Sequence, residues 1–424
     1  MKNKRNERLN QVTPSTLVIG IDIAKKTHYA CAVDDRGREL AKAFAFHQSS
    51  LGFCQFRTEL VKLLEEHDKK EVLVGFEPTG HYWKNLAEFL KSQGIRYVLV
   101  SPTNVKYSKS LDDNSMTKND KKDARVIGKL IIQGYYLEPR ILEEIEAELR
   151  EGSAFRFTLK KDRAKIKNRI IRQLDQFFPE FQIAFKDLGL TACALLRHAP
   201  LPADLLERDV EELNTLFKEE GIKQPAKKKI AQAKELARQS IGLTEGTMTA
   251  RMEIAALVEQ YDLLQRQLED VTTHLIDLVK ETEEFYFLVS IPGISEETVV
   301  DLLAETGALS NYSHPRQLIT LAGLALCENS SGKHEGKRRL SKRGRRRLRA
   351  LLYKAVLPLI QNNTAFRELY EYYISRKENP LKKKEALVVL CSKMLKVFYG
   401  LCRTKTFFDG ERMKQDLKML QSSA

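Results

Sequence analysis

The sequence contains no uninterrupted apolar run approaching the ~18 residues that a membrane-spanning helix needs. Its basic start, Met1-Lys2-Asn3-Lys4-Arg5, lacks the apolar segment of a secretory leader. Both absences point to a cytoplasmic protein. Cys-x-x-Cys pairs are also missing, and the six cysteines (Cys31, Cys54, Cys193, Cys327, Cys391 and Cys402) lie scattered in mostly apolar or helical stretches. No histidine is placed to complete a zinc site with them, so they read as reduced core residues. Acidic residues fall short of basic ones, 57 against 71, leaving a formal charge of +14. A chain with that imbalance is expected to meet a polyanion, nucleic acid first and an acidic membrane surface second, because each phosphate it neutralises releases a counterion. Hydrophobic residues make up 42% of the 424, enough for the cores of two or three domains.

Residues 1–16 are polar and charged up to Pro14 and read as a basic disordered arm. From Leu17 the pattern turns to strands: Leu17–Ile23, His28–Val33 and a run near Glu39–Phe46, with Asp34-Asp35-Arg36-Gly37 as the turn between the second and third. A helix over 51–67, a strand Glu71–Phe76, a helix His81–Gln93 and a strand Ile95–Val100 complete a mixed five-stranded sheet, a meander followed by β-α-β. The polar stretch 103–119 reads as a mobile loop over a site, and Asp120–Gln133 as a helix closing an α/β domain at 17–140. Residues 141–285 are expected to be a helical linker and coiled-coil-like arm. From 286 to 405 an all-α domain is expected, with Ile291-Pro292-Gly293-Ile294-Ser295 shaped like the turn of a helix-hairpin-helix. Residues 406–424 form a tail. Ten Lys or Arg crowd the seventeen residues from Lys333 to Arg349.

Four carboxylates stand out by position. Asp22 is embedded in the first strand, where an unpaired acid costs several kcal/mol. Glu77 follows the fourth strand, and Asp120 and Asp123, three apart, share one face in the first turn of a helix. Singly, each has an ordinary explanation: a helix cap, an ion pair with lysine, a turn. Together, with the first strand expected beside the fourth and the last helix across their ends, they are expected to converge. Converging carboxylates repel unless divalent cations neutralise them, and oxygen ligands favour Mg²⁺ or Mn²⁺. Two such ions can hold both the attacking and the leaving oxygen of a phosphodiester.

Three blocks, Ile19-Gly20-Ile21-Asp22-Ile23-Ala24-Lys25, Glu77-Pro78-Thr79-Gly80-His81-Tyr82-Trp83 and Lys118-Asn119-Asp120-Lys121-Lys122-Asp123-Ala124, resemble the motifs of the DEDD insertion-sequence transposases, relatives of the Piv DNA invertases. Further matches follow in order: Ile291-Pro292-Gly293-Ile294, Leu321-Ala322-Gly323-Leu324, Ser330-Ser331-Gly332 and Ser341-Lys342-Arg343-Gly344. The resemblance implies a RuvC-like, RNase H-type N-terminal domain whose metal-binding and catalytic residues are Asp22, Glu77, Asp120 and Asp123. It also implies a C-terminal serine, Ser331, as the nucleophile that joins covalently to DNA. An element-encoded structured guide RNA, dimers pairing into tetramers, and action at the nucleoid belong to the same implication.

A serine beside glycine is by itself most often a turn residue, and Ser330 and Ser341 compete with Ser331. Phosphate contacts are expected from Lys333, Lys337, Arg338, Arg339, Lys342, Arg343, Arg345, Arg346, Arg347 and Arg349. The sequence therefore predicts a transposase performing metal-assisted DNA strand exchange. Two rivals share its basic surface: a RuvC-like hydrolytic nuclease or junction resolvase using water as nucleophile, and a non-catalytic nucleic-acid-binding protein.

Overall fold

In the computed structural model, residues 2–112, 120–139, 142, 144–331, 334–413 and 415 are described, with the backbone alone at 2–4, 110–112, 329–331 and 334–337. The chain divides into two units, Met1–Ile141 and Leu142–Ala424.

The first unit runs α1 (Lys2–Leu9), β1 (Thr16–Asp22), β2 (Thr27–Val33), β3 (Phe44–His47), α2 (Ser50–Glu66), β4 (Glu71–Phe76), α3 (Trp83–Ser92), β5 (Tyr97–Val100), α4 (Pro102–Asp112), α5 (Asp120–Ile132) and β6 (Tyr136–Leu137). One sheet carries all six strands in the order β3-β2-β1-β4-β5-β6. Strand β1 is antiparallel to β2 and parallel to β4, and β4 is parallel to β5. Its run Thr16–Ile21 is buried throughout because helices cover both faces of the sheet. Alternation along it sends Leu17, Ile19 and Ile21 into a core with Phe53, Phe56, Leu60, Leu86 and Leu90 of α2 and α3. Val18 faces the other way, toward Ala124, Ile127 and Ile131 of α5. Ser49 caps α2 by accepting a hydrogen bond from the Gly52 amide at 3.1 Å.

Four expectations change here. The sheet has six strands, not five: Tyr136–Leu137 pairs antiparallel with β5 and is too short to show a period of two. The third strand starts later than Glu39, which makes only an isolated bridge to Val33. The N-terminal arm is helical over Lys2–Leu9 and docked: the Tyr136 hydroxyl donates to the Arg8 carbonyl at 3.2 Å, and the Arg5 guanidinium lies 4.3 Å from the Tyr135 ring centroid. Residues 103–112 of the expected loop belong to α4, anchored by buried Val105, whereas 113–119 lie outside the described residues.

The second unit begins with the 34-residue α6 (Glu144–Phe177), followed by α7 (Phe181–Ala184), α8 (Leu190–His198), α9 (Pro202–Glu207), α10 (Val210–Glu219) and α11 (Lys227–Ala237). Then come the second 34-residue helix, α12 (Thr247–Lys280), α13 (Glu283–Val289), α14 (Glu296–Thr306), α15 (Pro315–Leu321), β7 (Leu326–Ser331), β8 (His334–Leu340), α16 (Arg346–Asn362), α17 (Thr364–Ser375) and α18 (Lys383–Thr404). Helices α6 and α12 pack along each other. The helices between them build their own core around Phe178, Phe181 and Phe217. At the opposite end, Leu149, Leu275 and Val279 join the core of α13–α18.

The C-terminal region is not all helical. An antiparallel hairpin, β7–β8, interrupts it and carries the Ser-Ser pair and part of the basic block. Its strands, LCENSS and HEGKRRL, bear polar residues on both faces, so no hydrophobic period announces them. Helices α13 and α14 do flank the Pro292-Gly293 turn. Gly293 has φ +94°, and a Cβ there would lie 2.7 Å from the Pro358 carbonyl oxygen, so the turn packs closely against α16. Of the cysteines, all six are free, and Cys54 and Cys327 are exposed rather than in a core.

Candidate active site

Asp22 ends β1 and Glu77 follows β4 directly. The parallel register pairs Ile21 with Phe76, so the two acids occupy the next step at the same edge of the sheet. Asp120 and Asp123 lie in the first turn of α5, where the helix dipole favours carboxylates. What brings α5 to this edge is glycine. At Gly20 a Cβ would sit 2.2 Å from the Ala124 carbonyl oxygen and 2.4 Å from the Gly128 nitrogen, so the helix backbone rests on the strand backbone.

Asp22 feels the other three acids. Burial and the charges of Asp123, Asp120 and Glu77 push the Asp22 carboxyl up to about 6, with Lys109 as the opposing influence. Lys109, on α4, sets its ammonium 2.6 Å from Oδ2 of Asp123, itself only 7% exposed. The Thr79 hydroxyl donates to Oε1 of Glu77 at 3.1 Å. Among the described residues, no three His, Cys, Asp or Glu side chains stand close enough to hold an ion. The donor set nonetheless fits a divalent cation in its chemistry: every acid offers hard oxygens, and around Asp22 the charges of three carboxylates are opposed by that of Lys109. Lys109 was missed in the sequence, where it is one of several lysines in a polar stretch with no periodic signal.

On the second unit, Ser331 is the last residue of β7 and pairs with His334 across the hairpin, with Ser330 opposite Glu335. The side chains of Ser330 and Ser331, together with Gly332, Lys333 and the Lys337 side chain, lie outside the described residues. Ser341 is otherwise occupied: its hydroxyl accepts from the Arg343 amide at 3.3 Å and shapes the turn after β8.

The basic block divides into two kinds. Arg338, Arg339, Lys342, Arg343 and Arg346 are exposed, with Arg338 3.2 Å from Glu328 across the hairpin. Arg345, Arg347 and Arg349 are turned into the unit. Arg345 and Arg347 reach the buried carboxylate of Glu305 at 3.8 and 3.5 Å, and Arg150 completes the cluster at 3.2 Å. Arg349 donates to the Ala322 carbonyl at 2.9 Å. Among the described residues no helix is long and apolar enough to cross a membrane.

The sequence matches two family models. A DEDD-type model described as a transposase covers residues 19–179, and one described as the transposase IS116/IS110/IS902 family covers 286–371. Among curated relatives, the chain is 25% identical to the insertion element IS116 uncharacterized 44.8 kDa protein of Streptomyces clavuligerus, over 92% of this chain and 95% of that protein. It is 24% identical to the transposase for insertion sequence element IS1111A of Coxiella burnetii, over 93% and 92%. To the pilin gene-inverting protein of Moraxella bovis it is 22% identical over 93% and 98%. With matched segments spanning both the acidic sheet edge and the serine hairpin, and relatives aligned over nearly their full length, the chain belongs to the IS110-type family of insertion-sequence transposases, enzymes that cut and rejoin DNA.

Proposed function

We propose that the chain moves its insertion sequence by a metal-assisted strand exchange in which Ser331 becomes transiently joined to DNA. The observation that carries this reading is the placement of Asp22 and Glu77 at one sheet edge with Asp120 and Asp123 in the first turn of α5, near enough for their charges to raise the Asp22 carboxyl. These four residues would hold Mg²⁺ or Mn²⁺. A bound divalent ion supplies charge neutralisation and polarises the phosphodiester. The raised Asp22 carboxyl, a consequence of burial and its acidic neighbours, is the charge that such an ion would offset, so ion binding would favour its ionised form. The Ser331 oxygen forms a bond to phosphorus as the bond from phosphorus to a deoxyribose oxygen breaks. The serine proton leaves to a base and the departing oxygen gains one. Attack by a DNA hydroxyl on the phosphoserine reverses these bonds and reseals the strand.

The exposed Arg338, Arg339, Lys342, Arg343 and Arg346 support phosphate binding beside the serine hairpin. Lys333 and Lys337 belong to the same proposal by position in the sequence. Arg345, Arg347 and Arg349 contribute through the scaffold that holds the others. A structured RNA encoded by the element guides the choice of DNA, and the working form is a dimer or tetramer.

Suicide DNA substrates carrying a nick beside the scissile phosphate test the chemistry. Wild-type protein should accumulate a covalent adduct in Mg²⁺ or Mn²⁺. Ser331→Ala and Asp22→Ala should lose it while retaining DNA binding, and Ser330→Ala should keep it. An adduct persisting in Ser331→Ala removes the serine assignment. Nicked product with free ends and no adduct in wild type favours a hydrolytic nuclease. RNA co-purifying with the expressed protein, once sequenced, tests the guide.

A further inference from the structure

In the second unit a half-enclosed cavity of about 730 Å³ opens between α6, the start of α14 and the first turns of α16. Its floor is the Arg156 guanidinium, 1% exposed, held by Glu297 at 2.9 Å and Asp301 at 2.6 Å. The acids of the lining are therefore spent on internal pairs: Glu297 also meets Lys160, and Glu305 meets Arg345 and Arg347. At the rim the balance is opposite. Lys161, Arg346 and Lys354 are exposed and have no carboxylate partner among the described residues. Phe157 forms one wall, 45% exposed, with the Arg347 guanidinium 4.7 Å from its ring centroid and the Lys161 ammonium 5.7 Å from it. Leu351 and Pro358 supply aliphatic surface opposite.

We infer that this cavity binds an unstacked nucleotide of a single-stranded nucleic acid. A half-exposed aromatic ring backed by a guanidinium offers a flat shelf on which any base can stack. Three cations at the mouth, without a carboxylate partner among the described residues, match the phosphates on either side of that base. An acidic peptide would satisfy the rim but leave the shelf unused. Duplex DNA would meet the rim without entering, because its bases are already stacked. Strand exchange exposes unpaired nucleotides and a guide RNA contains them, so the inference rests on the function proposed above and names a surface for that strand.

Equilibrium binding by fluorescence anisotropy tests it, with the full chain, labelled oligothymidylate, labelled oligouridylate and a labelled duplex as probes. Phe157→Ala should weaken at least one of the two single strands by about tenfold and leave the duplex unchanged. The strand more affected identifies the source as DNA or RNA. Phe155→Ala, at a neighbour of similar exposure outside the cavity lining, should change nothing. Arg346→Gln and Lys354→Gln should each lower the slope of log affinity against log salt for the single strand by about 0.7. Thermal melting of each variant guards against misfolding. The inference is overturned if Phe157→Ala binds both single strands as wild type does, if single strand and duplex weaken equally, or if polyglutamate competes as well as oligothymidylate. None of these results affects the Ser331 adduct, so this inference and the proposed chemistry fail separately.

Discussion

Replacing Gly20 by alanine tests whether the close crossing of β1 and α5 builds the acidic site. The added Cβ would lie 2.2 Å from the Ala124 carbonyl oxygen, 2.4 Å from the Gly128 nitrogen and 2.9 Å from the Gly128 Cα. All three are backbone atoms and cannot rotate aside. Restoring ordinary contact requires α5 to retreat by roughly 1 Å, and overpacking of this kind costs about 3 kcal/mol or more, the upper end of the usual range. The same retreat carries Asp120 and Asp123 away from Asp22, and misplacement of reacting groups by about 1 Å can lower a rate by about 10²-fold.

The assay for this substitution is selective. The chain has a single tryptophan, Trp83, and it stands in the first unit with its ring 6.0 Å from that of Phe76. Its fluorescence through a urea titration therefore reports this unit alone. Gly20→Ala should lower the Trp83 midpoint and the rate of adduct formation together. Gly189→Ala, with no atom within 4 Å of the added carbon and φ −86°, should alter neither. A Gly20→Ala protein with the wild-type midpoint and wild-type cleavage refutes the argument.

Three other outcomes are expected. Because the Asp22 carboxyl sits at about 6 in the fold against 3.8 ordinarily, the folded state binds its proton more tightly, and stability falls as pH rises through that window. Above pH ~6 the metal-free protein is weakened by about 1–2 kcal/mol after allowance for solvent screening. Asp22→Asn should recover this at pH ~7.5 and lose its advantage near pH ~4 in Trp83 titrations with chelator, and a pH-independent difference would contradict the assignment. Lys109→Met removes the ammonium beside Asp123, so Mn²⁺ affinity read by electron paramagnetic resonance should rise on the order of tenfold; a fall would show that Lys109 positions the acids rather than competing with the ion. Glu305→Gln, at a carboxylate 5% exposed and facing three arginines, should cost about 2–4 kcal/mol in the circular-dichroism transition of the second unit while leaving the Trp83 midpoint in place.

Much of the first unit was legible from local pattern. Continuous apolar, β-rich runs along Leu17–Ile23 and Glu71–Phe76 marked two buried strands, and the three-residue spacing of Asp120 and Asp123 put both on one helix face. These signals survive because a strand or a helical turn fixes side-chain direction within a few residues. Pattern failed where an element owes its existence to distant contacts. Helix α1 is held by Tyr135 and Tyr136, more than a hundred residues away in the chain, and β6 has two residues. The β7–β8 hairpin carries no apolar alternation.

The sequence by itself placed four acids at strand and helix ends and a serine beside a dense basic block, the residues proposed to carry the chemistry. Tertiary structure decided how their charge is spent. Only the fold sets Lys109 against Asp123 and turns Arg345 and Arg347 inward to Glu305 while leaving Arg346 at the mouth of a cavity. Adjacent arginines are indistinguishable by type. Their roles diverge because successive residues on a helix point about 100° apart, so one faces a buried carboxylate and the next faces solvent.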